Sequence, residues 1–378
     1  MDVTLPKKDL LRLFGRTQGV ADKKSTMPIL SNVLVTADKE GVLRASATDL
    51  FMAVTTTSPA EVKSTGTVAV PAKELVERVK AMPEGPVQIS STEGATVLIK
   101  AVGAKREFRL RGMPGEDFPA LPKPDAKATE ITIAAPTLAD LIGRTHFSIS
   151  ADETRPHLNS ALFEWDGDVI RMVTTDGHRL SKYEVAADGG QKASFSLLVP
   201  LKGIVELRRL CDELKSDKGG AEGAPLKLLR GGPNVFFSTA DSTLAIKLVD
   251  AQFPPYQQVI PQRTESGVRV SRATLVDVLR AMSVAASERT GSVKLGLTKG
   301  TMRVTSENPD SGDALDEVPV DYSGADMTIG FNVRYILDAL GALDEDEIKL
   351  GLSGELDPVM IEPISSRRYV AIVMPMRI

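Results

Sequence analysis

Residues 9–20 read DLLRLFGRTQGV, and NVLVTADKEGVLRASATDL follows over residues 32–50. The same plan returns twice. DLIGRTHFSI starts at Asp140 and precedes SALFEWDGDVIRMVTTDGHRL (160–180), and DVLRAMSVAA starts at Asp277 and precedes SVKLGLTKGTMRVTSENPD (292–310). Each copy reads as an amphipathic helix, a break, and two strands joined by a tight turn. The turns carry Lys39-Glu40-Gly41, Asp166-Gly167-Asp168 and Lys299-Gly300. Each copy also has a second half, in which a strand leads into VPAKELVERVKAM (70–82), VPLKGIVELRRLCDEL (199–214) or FNVRYILDALGAL (331–343). Pro71 and Pro200 suit a first helical turn, and Asn332 suits an N-cap. The copies close alike, on DFP at Asp117, QFP at Gln252 and VMP at Val373.

These markers recur at one spacing, with starts 131 and 137 residues apart. The expected fold is therefore α+β, in three repeated domains, each with two helices backed by antiparallel sheet. The expected boundaries are 1–122, 129–252 and 253–378, set by LPKPDAKATE (121–130) and PPYQQVIPQRTESG (254–267). The Gly-rich SDKGGAEGAP (216–225) reads as a mobile hairpin. A length of 378 residues with 42% hydrophobic and 25% charged content is ordinary globular composition. No apolar run approaches the ~18 residues that a membrane helix needs. The start, MDVTLPKKDLLRLF, lacks a signal core. Cys211 stands alone, so a disulfide framework and a thiolate metal cluster are excluded. The reading is a cytoplasmic protein without metal or cofactor.

A net charge of −4 excludes a uniformly basic nucleic-acid binder. The charge is nonetheless uneven. The six expected helices sum to +6, which leaves −10 for the rest. On the first helix, Leu10, Leu13 and Phe14 share one face, while Lys8, Arg12 and Arg16 recur four residues apart on another. Such a line is either a solvated face or part of a basic surface turned towards phosphates. The second option gives weak, sequence-independent attraction that allows movement along DNA.

Enzymatic chemistry is poorly represented. His146, His157 and His178 lack metal-ligand spacing, and no phosphate-binding loop or nucleophile elbow occurs. Cys211 falls at helical spacing from Ile204, Leu207 and Leu214, as a small core residue would. Thr175-Asp176-Gly177-His178 could hold an acid–base pair or a structural Asp-Gly turn, and Asp49 in the equivalent place favours the turn. At the C-terminus, Met374 and Met376 either finish a core strand or, with Pro375 breaking the strand, border an adaptable apolar groove.

TDGHRL (175–180), KLVDAQFPPY (247–256), SGADMTIGFNVRYILDAL (323–340) and MPMRI (374–378), together with the three repeats, closely resemble the bacterial DNA polymerase III beta subunits, the sliding clamps. The resemblance runs the length of the chain. It implies a head-to-tail homodimer forming a six-domain ring around double-stranded DNA, helices inside and sheets outside, which tethers the polymerase without catalysis. Implied partners are the DNA polymerase III alpha subunit, the clamp loader delta subunit, other DNA polymerases and mismatch-repair proteins, with no membrane. These bind through short motifs of the Gln-x-x-Leu-Phe kind.

By position, the resemblance implies a peptide cleft of Arg155, Leu158, Thr175, Gly177, His178, Arg179 and Leu180, joined by Pro254, Val259, Asn332, Tyr335, Pro358, Met374, Pro375, Met376 and Arg377. Implied DNA contacts are Lys24, Lys73 and Lys202, with the loop at Asp152. The implied ring interface sets an edge strand holding Lys105, Arg106, Phe108 and Leu110 against Ala285 and Ala286 in a helix and Glu307, Asp310 and Asp313 on an acidic loop. Three departures stand out: Gln258 replaces a basic residue beside the cleft, Pro156-His157 replaces an aromatic pair, and Ala285-Ala286 is small for an interface anchor. From the residues alone, two other classes stay open. One is a protein-binding repeat scaffold that never encircles DNA; the other is an enzyme centred on Asp176 and His178.

Overall fold

A computed structural model describes residues 1–22, 25–124, 130–187, 193–216, 225–287, 290–308, 312–366 and 368–377. Among them are six α-helices: α1 (Lys7–Gln18), α2 (Ala72–Lys80), α3 (Ala135–Thr145), α4 (Leu201–Ser216), α5 (Arg272–Ala285) and α6 (Val333–Gly341). Their apolar spacing explains them. Helix α1 buries Leu10, Leu13 and Phe14, α3 buries Leu138, Leu141 and Ile142, and α5 buries Leu275, Val278, Leu279 and Met282. The Asn332 side chain caps α6 by accepting from Arg334 N at 3.0 Å. Pro71 and Pro200 lie one residue before their helices rather than in the first turn. Each ends a strand, paired with Asn32 and Ser160 respectively, and the ladder holds it extended. The expected hairpin at 216–225 falls on residues 217–224, outside the described residues.

The described chain forms two compact units, residues 1–136 with 205–248 and residues 137–204 with 249–378, so each takes half of the middle repeat. In the first unit, a nine-stranded sheet runs Met113–Pro114, Gly66–Pro71, Asn32–Ala37, Val42–Thr48, Met52–Pro59, then Ser242–Lys247, Asn234–Ser238, Pro225–Gly231 and Glu130–Ala134. It crosses from one repeat to the next where Met52–Pro59 pairs antiparallel with Ser242–Lys247, Thr56 opposite Ser242. A five-stranded sheet in the same unit ends on Glu107–Arg111.

The second unit repeats the device. Its eight-stranded sheet crosses where Arg179–Ala186 pairs with Tyr369–Val373, Arg179 opposite Val373. Its four-stranded sheet ends on Gly312–Pro319. In both crossings the third strand after the first helix of one repeat takes up the last strand of the next. Gly312–Pro319 is the third-repeat strand of the first kind, and Glu107–Arg111 is the first-repeat strand of the second kind. Each of these is a sheet edge.

The basic line on α1 is solvated at Lys8 and Arg12, which are exposed, but not at Arg16. Arg16 is 5% exposed. Its Nε lies 2.8 Å from Glu213 Oε2 and its Nη1 2.9 Å from Asp241 Oδ1, while Arg12 Nη2 lies 3.3 Å from Asp241 Oδ2. Arg16 therefore ties α1 to α4 and is spent on protein carboxylates. Burial opposes the charge on Asp241, but the Arg16 guanidinium and the Thr239 hydroxyl hold its carboxyl below the ordinary aspartate value.

Arg16→Ala should destabilise this unit by roughly 1–2 kcal/mol at pH 7, since it removes the buried partner of two carboxylates that are each about one-third exposed and keep Arg12 or Arg209. The stabilisation from a lowered carboxyl is complete at neutral pH and is lost as pH falls through that lowered value. The gap between wild type and variant in urea melts should therefore narrow below about pH 4. A gap that stays constant into that range would contradict the assignment.

Candidate partner-binding site

The segment 175–180 is shaped by a turn that the backbone and two side chains build together. Thr175 Oγ1 donates to Arg179 O at 2.6 Å and accepts from Gly177 N at 3.1 Å. Asp176 Oδ1 accepts from His178 N and Arg179 N at 2.9 and 3.0 Å. Gly177 has φ +94°, where a side chain is strained. The first repeat contains the same turn. Thr48 Oγ1 donates to Met52 O and accepts from Leu50 N, and Asp49 Oδ1 accepts from Phe51 N and Met52 N. Leu50 sits at φ +72° in the place of Gly177. Asp176 is thus structural. Its second oxygen takes Arg179 Nε at 2.9 Å, so the carboxylate is occupied by the backbone and by Arg179.

Arg179 has several partners of its own. It fastens elements together, with Nη1 2.5 Å from Asp338 Oδ2 on α6 and Nη2 2.7 Å from Phe147 O. Its guanidinium lies 4.5 Å from the Tyr335 ring centroid and 5.5 Å from that of Phe147. This fixes Tyr335, on whose ring the exposed His178 stacks at 6.5 Å and 17°. Asn332 is occupied too, capping α6 and donating from Nδ2 to Thr290 O at 3.1 Å.

The C-terminal residues are pinned rather than freed. Met374 N donates to His178 O at 2.9 Å and Met376 N to Gly330 O at 2.8 Å, the latter an isolated bridge to a strand of the four-stranded sheet. Met374 remains 37% exposed, Pro375 and Met376 are half-buried, and Arg377 is exposed. Leu180 is buried among Leu162, Val173, Leu198, Tyr256, Met360, Val370 and Ile372, and Leu158 is buried as well. Pro254 and Val259 flank Tyr256, whose hydroxyl donates to Glu164 Oε2 at 2.8 Å. Burial and that carboxylate push the Tyr256 hydroxyl up to about 12, so it stays protonated. Val259 is 42% exposed and Pro358 half-buried. Arg155 pairs with Asp152 at 2.8 Å. Hydrogen bonds from Thr154 hydroxyl and N–H, then from Arg155, hold the Asp152 carboxyl below its ordinary value.

Lys73 and Lys202 are exposed at the second position of α2 and α4. Lys24 lies outside the described residues. Arg334, exposed at the second position of α6, is their third-repeat counterpart. Aligning VPAK (70–73), VPLK (199–202) and FNVR (331–334) would have found it.

Lys105 and Arg106 precede the edge strand Glu107–Arg111 rather than belonging to it; Phe108 is half-buried and Leu110 buried. Ala285 ends α5, and Ala286 follows it as a buried C-cap residue. Glu307 lies in strand Thr301–Asn308, not in a loop, with Lys294 Nζ 2.9 Å away across the ladder. Asp313 lies in Gly312–Pro319, and Asp310 falls outside the described residues. Cys211 is fully buried, which pushes its thiol up to about 12. Among the described residues no helix is long and apolar enough to cross a membrane, and no group of three or more His, Cys, Asp or Glu is placed to hold a metal ion.

Three family models match the chain in order. They are the DNA polymerase III beta subunit N-terminal domain over residues 1–122, its central domain over 132–255 and its C-terminal domain over 257–377. The beta sliding clamp of Escherichia coli K12 is 32% identical over 379 residues, covering 100% of both chains. Two solved structures also align over 100% of both chains. The DNA polymerase III subunit beta of Pseudomonas aeruginosa gives TM-score 0.92 at 29% identity, and the sliding clamp of Bartonella birtlesii bound to griselimycin gives 0.93 at 30%.

The turn geometry separates structure from surface. Asp176→Ala should lower stability by about 1–3 kcal/mol, because it leaves two N–H groups and a guanidinium without their acceptor. His178→Ala, at an exposed tip, should cost under ~0.5 kcal/mol. Thermal melts of the two variants that matched would contradict this reading.

Proposed function

The chain belongs to the family of DNA polymerase III beta subunits, the sliding clamps, and from that membership we propose how its own residues serve the clamp. Its function is that of a sliding clamp of DNA polymerase III, a processivity factor that tethers the polymerase during replication. Two copies close head to tail into a ring around double-stranded DNA. Gly312–Pro319 of one copy takes up Glu107–Arg111 of the next. What supports this reading is the pair of sheet crossings inside the chain, which use strands of the same two kinds. The edge strands are also complementary in charge. The first carries Asp313, Asp316 and Glu317, the second Arg109 and Arg111 against Glu107.

The repeat boundaries on this reading are 1–122, 129–252 and 253–378. Lys73, Lys202 and Arg334, one from each repeat, give three exposed cations per subunit for phosphate contact. Contacts of this kind are sequence-independent and weaken with salt. Asp152, a carboxylate already satisfied by its own turn, shapes its loop and adds no attraction for phosphate.

The peptide cleft uses exposed His178, Val259 and Met374 and half-buried Tyr335 around a floor containing Leu158 and Leu180. Leu and Phe anchors of a Gln-x-x-Leu-Phe segment fit such a surface, with methionine adapting to different partners. The partners on this reading are the DNA polymerase III alpha subunit, the clamp loader delta subunit, other DNA polymerases and mismatch-repair proteins, in the cytoplasm at the replisome. No catalysis belongs to the chain itself. The observation that carries the cleft is the rigid platform in which Arg179 holds Asp176, Asp338 and the Tyr335 ring together.

A labelled Gln-x-x-Leu-Phe peptide should bind the wild type and lose about five- to thirtyfold in affinity with His178→Ala or Met374→Ala, or about 1–2 kcal/mol each. Unchanged anisotropy titrations for both variants would place the peptide elsewhere.

A further inference from the structure

Superimposing the repeats by their buried helix positions aligns Leu10, Leu13, Phe14 and Thr17 of α1 with Leu138, Leu141, Ile142 and Thr145 of α3, and with Leu275, Val278, Leu279 and Met282 of α5. Arg16 then coincides with Arg144, and both coincide with Ala281. The two arginines do the same work. Arg16 reaches Glu213 at 2.8 Å, in the second-half helix of the next repeat. Arg144 reaches the segment just past α6, the second-half helix of the repeat after its own, with Asp344 at 2.9 Å, Glu345 at 3.9 Å and Ala342 O at 3.1 Å. Counted from the starts of α4 and α6, Glu213 and Glu345 are the same position, and in the first repeat that position is Glu84.

The third copy of this lock is half present. Glu84 stands with its side chain 85% exposed, one oxygen 2.8 Å from Lys7 Nζ. Such a contact does not preclude a second one, since Glu213 holds Arg209 at 3.5 Å while it binds Arg16. Opposite it, the third repeat offers Ala281, exposed on α5. The neighbouring Arg280 does not substitute. It falls on the position of Gly15 and Gly143, about 100° around the helix from the docking direction.

We propose that the joint between two copies of this chain repeats the plan of the two joints within it but lacks their arginine lock, and that Ala281 thereby sets the ring as the joint that opens. The proposal rests on the head-to-tail ring described above. It identifies Ala281 as a determinant of ring lifetime and Glu84 of the partner copy, which otherwise holds only Lys7 among the described contacts, as the acceptor. A guanidinium at position 281 restores the missing charge-assisted pair in a partly desolvated seam.

Sedimentation velocity over a dilution series of the full-length protein tests it, with Ala281→Arg, Ala281→Gln and Glu84→Gln alone and combined. The expected result is that Ala281→Arg tightens the dimer about tenfold. Ala281→Gln should not tighten it, and adding Glu84→Gln should cancel the gain. Release from circular DNA should slow in parallel. Circular dichroism melts check folding, and Ala281→Lys replaces Ala281→Arg if the latter does not fold. A wild type that is monomeric at every concentration would overturn the ring itself, and the lock with it. A dimeric wild type that Ala281→Arg leaves no tighter than Ala281→Gln, or a gain that survives Glu84→Gln, would overturn the lock alone.

Discussion

Backbone pairing between neighbouring repeats is the constraint on which the rest of the molecule depends. A repeat of this kind has strand edges, and an unpaired edge is a row of donors and acceptors that seeks a partner. Within the chain the problem is solved twice, where Met52–Pro59 receives Ser242–Lys247 and where Arg179–Ala186 receives Tyr369–Val373. The register of these ladders fixes what surrounds them. The second ladder puts Arg179 opposite Val373, which sets Met374 against His178 O and brings the C-terminal residues to the Thr175–Leu180 turn. Two edges of the kinds that pair at these crossings stay unpaired among the described residues, Glu107–Arg111 basic and Gly312–Pro319 acidic in character. On the proposed head-to-tail ring, a second copy of the chain satisfies both of these at once.

Side-chain electrostatics then refine what the ladders begin. Arg16 and Arg144 fasten helices of adjacent repeats, each through more than one carboxylate. Arg179 performs a related task on a smaller scale by holding a turn, a helix and an aromatic ring together. None of these arginines is available to phosphate. The cations that remain exposed at the starts of α2, α4 and α6 are single residues on helix ends. Such a sparse arrangement suits a protein that has to stay near DNA without stopping on it.

Much of this was legible in the sequence. The three repeats, the six helices and the hairpin turns follow from hydrophobic period and Gly/Asp placement, and Asp49 matched to Asp176 already indicated a structural carboxylate. Some of the misreadings concern a group whose partner is distant along the chain. Spacing along α1 cannot distinguish an arginine facing solvent from one facing Glu213, nearly two hundred residues away. The resemblance implied a loop position for Glu307, which instead lies in a strand and pairs with Lys294. Pro375 ended a strand as expected. Pairing of Met376 with Gly330 depends on the fold of the whole third repeat and leaves no local mark. Arg334 was within reach and was missed, because charge was summed per helix instead of compared by position.

The central claim is a topological link to DNA, and one measurement addresses it directly. The protein is loaded onto nicked circular plasmid by a clamp loader with ATP, free protein is removed at raised salt, and the plasmid is then linearised. The account predicts retention on circles and rapid loss from linear ends. Equal retention on both forms, or equal loss from both, would mean that contact rather than encirclement holds the protein to DNA.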